Sequence, residues 1–283
     1  MRRKALAWAF WINAAFLVIE VVGGMISGSL ALLADAGHML SDVAALGMAL
    51  WVSHVVERPP TKRRTYGYGR AEVLSGLING LTLFVVVALV LHEAIQRIGS
   101  THTVDVGVML PVAIAGLIAN VASAAVLMGH RHEDMNVRAA FLHLAVDAGG
   151  SVAAIVAGIA IYFKGWELAD VIASVLIGLM ILGGAIRLVR ESVHILLEGT
   201  PPGIDLEKVR QDIDGLPEVE SCHDLHIWLV GSGEPILTAH LVPAAGFTHE
   251  QTLHAAHTMI TSSYEIKHTT FQVEGNPCEG MHK

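Results

Sequence analysis

Ala34-Asp35-Ala36-Gly37-His38-Met39-Leu40-Ser41-Asp42 places a histidine and an aspartate four residues apart inside an apolar stretch, and His143-Leu144-Ala145-Val146-Asp147 repeats the spacing in a second such stretch. A separation of four puts both side chains of each pair on one helix face, about one turn apart. Each pair therefore offers an imidazole nitrogen and a carboxylate oxygen to one point, and two such helices face to face supply four ligands. Ionisable groups at membrane depth cost roughly 2.5 to 3.5 kcal/mol each on insertion scales. A hydrophobic helix that keeps such a pair needs a compensating partner, and a divalent metal is the natural one.

Composition sets the solvent in which these helices lie. The chain has 283 residues, is 53% hydrophobic and only 16% charged, with a mean hydropathy of +0.55, against about 25% charged residues in an ordinary soluble domain. Apolar windows long enough to cross a bilayer run from Ala5 to Ile26, Leu30 to Val56, Leu74 to Ile98, Val106 to Met128, Ala139 to Phe163 and Leu168 to about Ile186. The expected fold class is an α-helical, multi-pass membrane protein with six transmembrane helices. The first window lacks a small-residue cleavage signature and is expected to be retained as a helix.

Six spans put both ends of the chain on one side. Arg2, Arg3, Lys4, Arg58, Lys62, Arg63, Arg64, Arg70, Arg131 and Arg138 lie on that side, whereas the opposite loops carry Lys164 alone. The excess of basic residues marks the cytoplasmic face, so both termini are expected in the cytoplasm. Short loops and the lack of a targeting extension point to a bacterial plasma membrane. Within the spans, Gly23, Gly24, Gly178, Gly183 and Gly184 are expected to let helices pack closely. Asn13, Glu20 and Asn79 suit interhelical hydrogen bonds or cavity lining, Asp35 suits a supporting place behind the ligands or the water-exposed mouth of the His38 site, and Asp170 suits a cap of span six.

A change in charge divides the chain. Residues 1–200 hold 14 basic and 14 acidic residues, and 201–283 hold 4 against 12, which accounts for the whole net charge of -8. Gly199-Thr200-Pro201-Pro202-Gly203 marks the boundary, giving a six-helix transmembrane domain over 1–199 and a soluble domain over 200–283. In the latter, Ile204–Ile213 and Thr248–Tyr264 read as helices, and Val219–Val230, Ile236–Val242 and His268–Val273 read as strands. The order αββαβ suits a small antiparallel sheet with helices on one face, and at about 80 residues such a domain gains stability by pairing.

With these motifs assembled, the chain resembles the cation diffusion facilitator family of zinc and divalent-metal transporters. The resemblance covers nearly the whole length. It rests on residues 34–42 and 143–147, on Tyr66-Gly67-Tyr68-Gly69-Arg70-Ala71-Glu72 before span three, and on His223-Asp224-Leu225-His226-Ile227-Trp228 in the tail. It implies a homodimer that exports cytoplasmic metal in exchange for protons, with a ferredoxin-like, metallochaperone-like cytoplasmic domain. It further implies tail metal ligands at or beside His223, His240, His268 and Glu274. The helical histidines His249, His254 and His257 read first as surface residues, with His257 the best bridging ligand among them. Many relatives carry a loop histidine where this chain has Gly69. His130 and His132, in His130-Arg131-His132-Glu133-Asp134, could serve as a substitute loop site.

Chemistry supports zinc in the intramembrane set. Neutral imidazole and carboxylate suit a tetrahedral zinc, whereas manganese prefers oxygen-only sites. Cadmium, cobalt or nickel could share the site. Thiolate is absent there, which favours release, and protons compete with metal for the histidine nitrogens. Strand alternation puts His226 on the face opposite His223, where it reads as a packed structural residue beside Trp228. Cys222 and Cys278 are too few and too far apart to declare a zinc finger or a disulfide.

Two other classes use similar residues, namely a metal-dependent intramembrane hydrolase and a metal sensor without flux. The chain contains no His-Glu-x-x-His and no serine nucleophile pattern, and a four-ligand site leaves no open position for water. No enzymatic activity, organic cofactor or nucleic-acid partner is expected. The expected partners are the bilayer, divalent metal ions, protons and a second copy of the chain.

Overall fold

The computed structural model describes residues 2–55, 61–100, 102–128, 135–231, 233 and 235–275, with the backbone alone at 2–6, 8, 9, 49, 52–55, 122–128 and 135–146. The chain divides into two compact units, one formed by Met1–Ser53 with Gly76–Val189 and the other by His54–Ser75 with Arg190–Lys283. The second unit thus takes in the segment before span three and the last turns of span six.

Six helices make up the membrane region: α1 (Arg2–Ser27), α2 (Leu30–Val55), α3 (Gly69–Arg97), α4 (Val106–Met128), α5 (Met135–Lys164) and α6 (Leu168–Leu196). Among the described residues five are long and apolar enough to cross a bilayer, and α4 is apolar over Val106–Val121. Lipid as solvent explains an otherwise inverted surface. Trp11, Ile78, Leu89 and Phe163 point outward, which in water would be a large exposed apolar patch. The interior is lined by small residues, among them Ala31, Ala34, Ala154 and Ala185, each fully buried. Small side chains let backbones approach closely where lipid supplies no hydrophobic drive for association.

The turns follow from residue type. Gly28 (φ 69°) and Gly165 (φ 59°) adopt left-handed backbone right after α1 and α5, a conformation glycine reaches without a Cβ penalty. The connections to α2 and α6 are correspondingly short. Span three begins at Gly69, five residues before the apolar window, because Gly69-Arg70-Ala71-Glu72 adds a polar first turn.

Glycine packing is uneven. A Cβ on Gly23 would lie 2.9 Å from Val112 and one on Gly24 2.8 Å from Leu33, as expected of close contacts. Gly178 has only a 3.8 Å contact, and Gly183 and Gly184 meet nothing within 4 Å among the described residues. The expected close packing along α6 is therefore corrected.

The second unit holds α7 (Leu206–Asp214), β1 (Val219–Leu229), β2 (Pro235–Pro243), α8 (His249–Tyr264) and β3 (His268–Val273). Asp205 caps α7 by accepting from the N–H groups of Glu207 and Lys208, and Thr248 with Gln251 closes a capping box on α8. The sheet order is β1-β2-β3, with β1 and β2 antiparallel but β2 and β3 parallel. The expectation of an antiparallel sheet is corrected at β3. The 16 residues of α8 carry the chain back past β2, which a parallel crossover requires and a hairpin does not.

Val209 and Ile213 of α7 and Ala256 and Ile260 of α8 pack on Cys222, Ile227, Leu237, Ala239 and Leu241 from one sheet face. Among the described residues no helix of this domain covers the opposite face of the sheet. In the same unit, Arg70 donates to Glu198 at 2.6 Å, and the Tyr66 ring lies 6.1 Å from that of His268. A Cβ on Gly231 would fall 2.8 Å from the carbonyl oxygen of Gly69, so position 231 has no room for a side chain.

Candidate metal centres

His38 and Asp42 stand one turn apart on α2, and Asp147 faces them from α5. His38 Nε2 and Asp147 Oδ1 are 2.9 Å apart, with side-chain exposures of 20% and 12%. One ligand atom from each of His38, Asp42 and Asp147 falls within 4.8 Å of the others. His143 lies on α5 one turn before Asp147, and its side chain is outside the described residues. The structure therefore brings together three members of the expected quartet and fixes the backbone of the fourth.

Packing around this point is built from small residues and polar contacts. A Cβ on Gly150 would sit 2.8 Å from Asp35 Oδ1, so glycine at 150 lets α2 and α5 close on each other beside the site. Asp35 is buried, which agrees with a supporting place behind the ligands and not with an open mouth. Asn79 Nδ2 donates to the buried Ser41 Oγ at 2.8 Å, tying α3 to α2 one residue from Asp42. Glu20 of α1 is 2% exposed, and a Cβ on Gly116 would meet its Oε1 at 3.3 Å and Ser151 Oγ at 3.2 Å.

A second group forms on the helix-free face of the tail sheet. His223 on β1 pairs in register with His240 on β2, which puts their side chains on one face, with ring centroids 5.3 Å apart. Glu274 follows β3 and is held there by its N–H donating to Leu241 O at 2.9 Å. Its carboxylate lies 2.5 Å from His240 Nδ1 and 3.9 Å from His223 Nε2. All three ligand atoms again fall within 4.8 Å of one another.

Strand irregularity reshapes this face. Asp224 adopts a left-handed backbone (φ 48°) where the β1–β2 register slips between His223 and His226. One extra residue on β1 cancels the odd spacing, so His226, opposite Thr238, returns to the face of His223, opposite His240. The expected opposite placement is corrected, and so is the packed role, since the His226 side chain is 57% exposed. The Asp224 carboxylate lies 3.0 Å from His226 and 3.7 Å from His240. Sequence reading missed Asp224, although an aspartate between two strand histidines tolerates the left-handed conformation that most residues avoid.

The remaining described candidates are not drawn into either group. His268 opens β3 opposite Ile236, whereas Gln272 stands opposite His240, so His268 is displaced by about 13 Å along the strand. His257 belongs to α8, and its Nδ1 pairs with Thr269 Oγ1 at 2.8 Å, away from His223 and His240. His130, His132 and Cys278 lie outside the described residues. Burial, reinforced by Asp214, pushes the Cys222 thiol up to about 12, which keeps it a protonated core residue rather than a metal ligand.

Comparison with known proteins matches this architecture over nearly the full length. Residues 6–197 match the cation efflux transmembrane domain, and residues 201–276 match the cation efflux protein cytoplasmic domain. The zinc transporter ZitB of Escherichia coli is 42% identical over 98% of this chain and 89% of its own. The metal cation efflux system protein CzcD of Cupriavidus metallidurans is 40% identical over 98% of this chain and 88% of its own. The cadmium, cobalt and zinc/H(+)-K(+) antiporter of Bacillus subtilis is 38% identical over 85% of this chain and 78% of its own. A solved structure of the metal-bound C-terminal domain of CzcD from Cupriavidus metallidurans is 38% identical over 25% of this chain and 99% of its own, with a TM-score of 0.24. The chain is a multi-pass membrane protein and belongs to the cation efflux family of metal transporters.

Proposed function

We propose that this protein is a zinc/proton antiporter that exports cytoplasmic Zn2+ through His38, Asp42, His143 and Asp147. The observation that carries this reading is the contact of His38 Nε2 with Asp147 Oδ1 at 2.9 Å, with Asp42 alongside, between two apolar helices. An imidazole nitrogen and a carboxylate oxygen at that distance share one proton. The same two atoms are the ones a zinc ion would take as ligands, since metal binds the deprotonated forms. Proton and metal therefore compete for one place. Loading from the cytoplasm expels the proton, and proton entry from the other side releases the metal.

Asp42 and Asp147 supply the negative charge that a dication needs in a low-dielectric interior. His143, one turn from Asp147, completes a tetrahedral set. Relatives named for zinc, cadmium and cobalt support zinc as the main substrate with cadmium and cobalt admitted, and nickel follows from the same donor chemistry. The basic loops support cytoplasmic termini, and the bacterial relatives support a bacterial plasma membrane.

Residues 1–199 form the transport domain in this reading, and residues 200–283 form a cytoplasmic dimerising and metal-sensing domain. His223, His240 and Glu274 are its first ligands, with His257 and His268 available only from outside that group. Twelve carboxylates in the tail repel across a dimer until cations neutralise them. Spin labels on the tail should report a shorter separation with zinc than without it. An unchanged distance distribution would remove the sensing role.

Transport itself is tested in proteoliposomes. A pH gradient should drive zinc uptake by the wild-type protein, and His143→Ala or Asp147→Ala should abolish it. Folded protein that carries no zinc would refute the reading and favour a sensor.

A further inference from the structure

Asp170 stands in the first turn of α6, where local sequence logic makes it a cap for its own helix. Its carboxylate serves another. Asp170 is buried to 1% exposure. Oδ2 accepts from Leu30 N at 2.6 Å, and Oδ1 accepts from Ala31 N at 3.2 Å and from Ser29 Oγ at 2.6 Å. Leu30 and Ala31 open α2, and the first N–H groups of a helix have no acceptor within it. A carboxylate placed there also meets the positive end of the helix dipole.

Further contacts converge on the same end of the bundle. Arg97, at the end of α3, has Nη1 3.7 Å from Asp170 Oδ2, donates from that nitrogen to Gly28 O at 2.6 Å, and pairs with Glu93 at 3.0 Å. Asp105 N donates to Ser27 O at 2.8 Å, and Val104 N donates to Glu167 Oε2 at 3.1 Å. The short turn after α5 leads directly into α6, with Gly165 N closing on Ile161 O at 2.8 Å. Asp170 therefore belongs to the same helical hairpin as Asp147.

The consequence concerns height along the helix axis. His38 and Asp42 lie about 12 and 18 Å beyond Leu30 on α2 at 1.5 Å per residue. A slip of one residue would move both by about 1.5 Å, against a tolerance of about 0.2 Å for metal–ligand distances. We propose that Asp170 is a positioning residue for the metal site: it fixes the axial height and rotation of α2, and so of His38 and Asp42, relative to the α5–α6 hairpin that carries Asp147. This rests on the reading of those residues as the transport site.

Zinc flux into proteoliposomes under a fixed pH gradient tests it, with KM and maximal rate measured separately. Asp170→Asn keeps the size of the side chain but sets an NH2 among N–H donors. Its KM for zinc should rise tenfold or more, and that of Ser29→Ala about threefold, with maximal rate per folded protein falling less than twofold. A merely structural role would lower the amount of folded protein, and hence the maximal rate, at constant KM. KM unchanged within twofold in these variants overturns the positioning role, and if Asp170→Asn does not fold, Ser29→Ala decides alone. Wild-type protein without flux would sink the transport reading and this role with it, whereas wild-type flux with unaltered variant KM sinks this role alone.

Discussion

His38 and Asp147 meet at 2.9 Å between two apolar helices, and His240 and Glu274 meet at 2.5 Å on the face of a small sheet. Both places gather imidazole and carboxylate within 4.8 Å, yet the surroundings differ. In the helical unit such groups stand among residues that face lipid, where a lone charge costs several kcal/mol. In the tail they stand on a face that no described helix of the domain covers, beside the exposed His226. In the proposed reading, similar donors thus serve different ends. A site that must alternate between metal and proton belongs where neither is bound idly, and a site that reads cytoplasmic metal belongs where metal can reach it.

The comparison breaks most sharply at the ligands themselves. His38→Ala or Asp147→Ala should cut zinc flux by about a hundredfold or more, since even outer partners of metal ligands are worth 10 to 100-fold. Zinc binding by the tail should persist. Glu274→Ala should show the reverse, with tail zinc affinity falling about 10 to 100-fold in calorimetric titration while the flux mechanism still turns over. Loss of flux in Glu274→Ala equal to that of Asp147→Ala would erase the division between the two places.

Packing differs as well. Gly231→Ala forces a Cβ to 2.8 Å from the Gly69 carbonyl and should lower stability by about 1 to 3 kcal/mol, visible as a reduced melting temperature of the full protein. A melting curve identical to wild type would mean that the loop and the tail are not in contact at that point. The smallest effect belongs to Asn79→Ala, which removes a 2.8 Å bond to Ser41. Intramembrane hydrogen bonds average about 0.6 kcal/mol, so flux should change by less than about threefold, and a larger loss would place Asn79 in the transport machinery.

The gathering of His38, Asp42 and Asp147 was legible because helix geometry is local: a spacing of four in an apolar run yields a shared face whatever the rest of the chain does. His223, His240 and Glu274 were legible as residues through the resemblance. Their exclusion of His268 was not, because it depends on the parallel register that sets Gln272 opposite His240. Asp224 escaped notice because a bulge is a tertiary choice between strands. Asp170 escaped for a related reason, since a cap is sought within three residues of its own helix and this one serves a helix far away in sequence, at Leu30.

In the proposed mechanism one position between α2 and α5 holds either a proton or a metal. This is tested most directly by a zinc gradient imposed across proteoliposomes with no initial pH difference, with a pH-sensitive dye inside. Zinc movement should drive protons the opposite way in wild-type protein, and both signals should vanish in Asp147→Ala. Zinc movement at constant internal pH would contradict it.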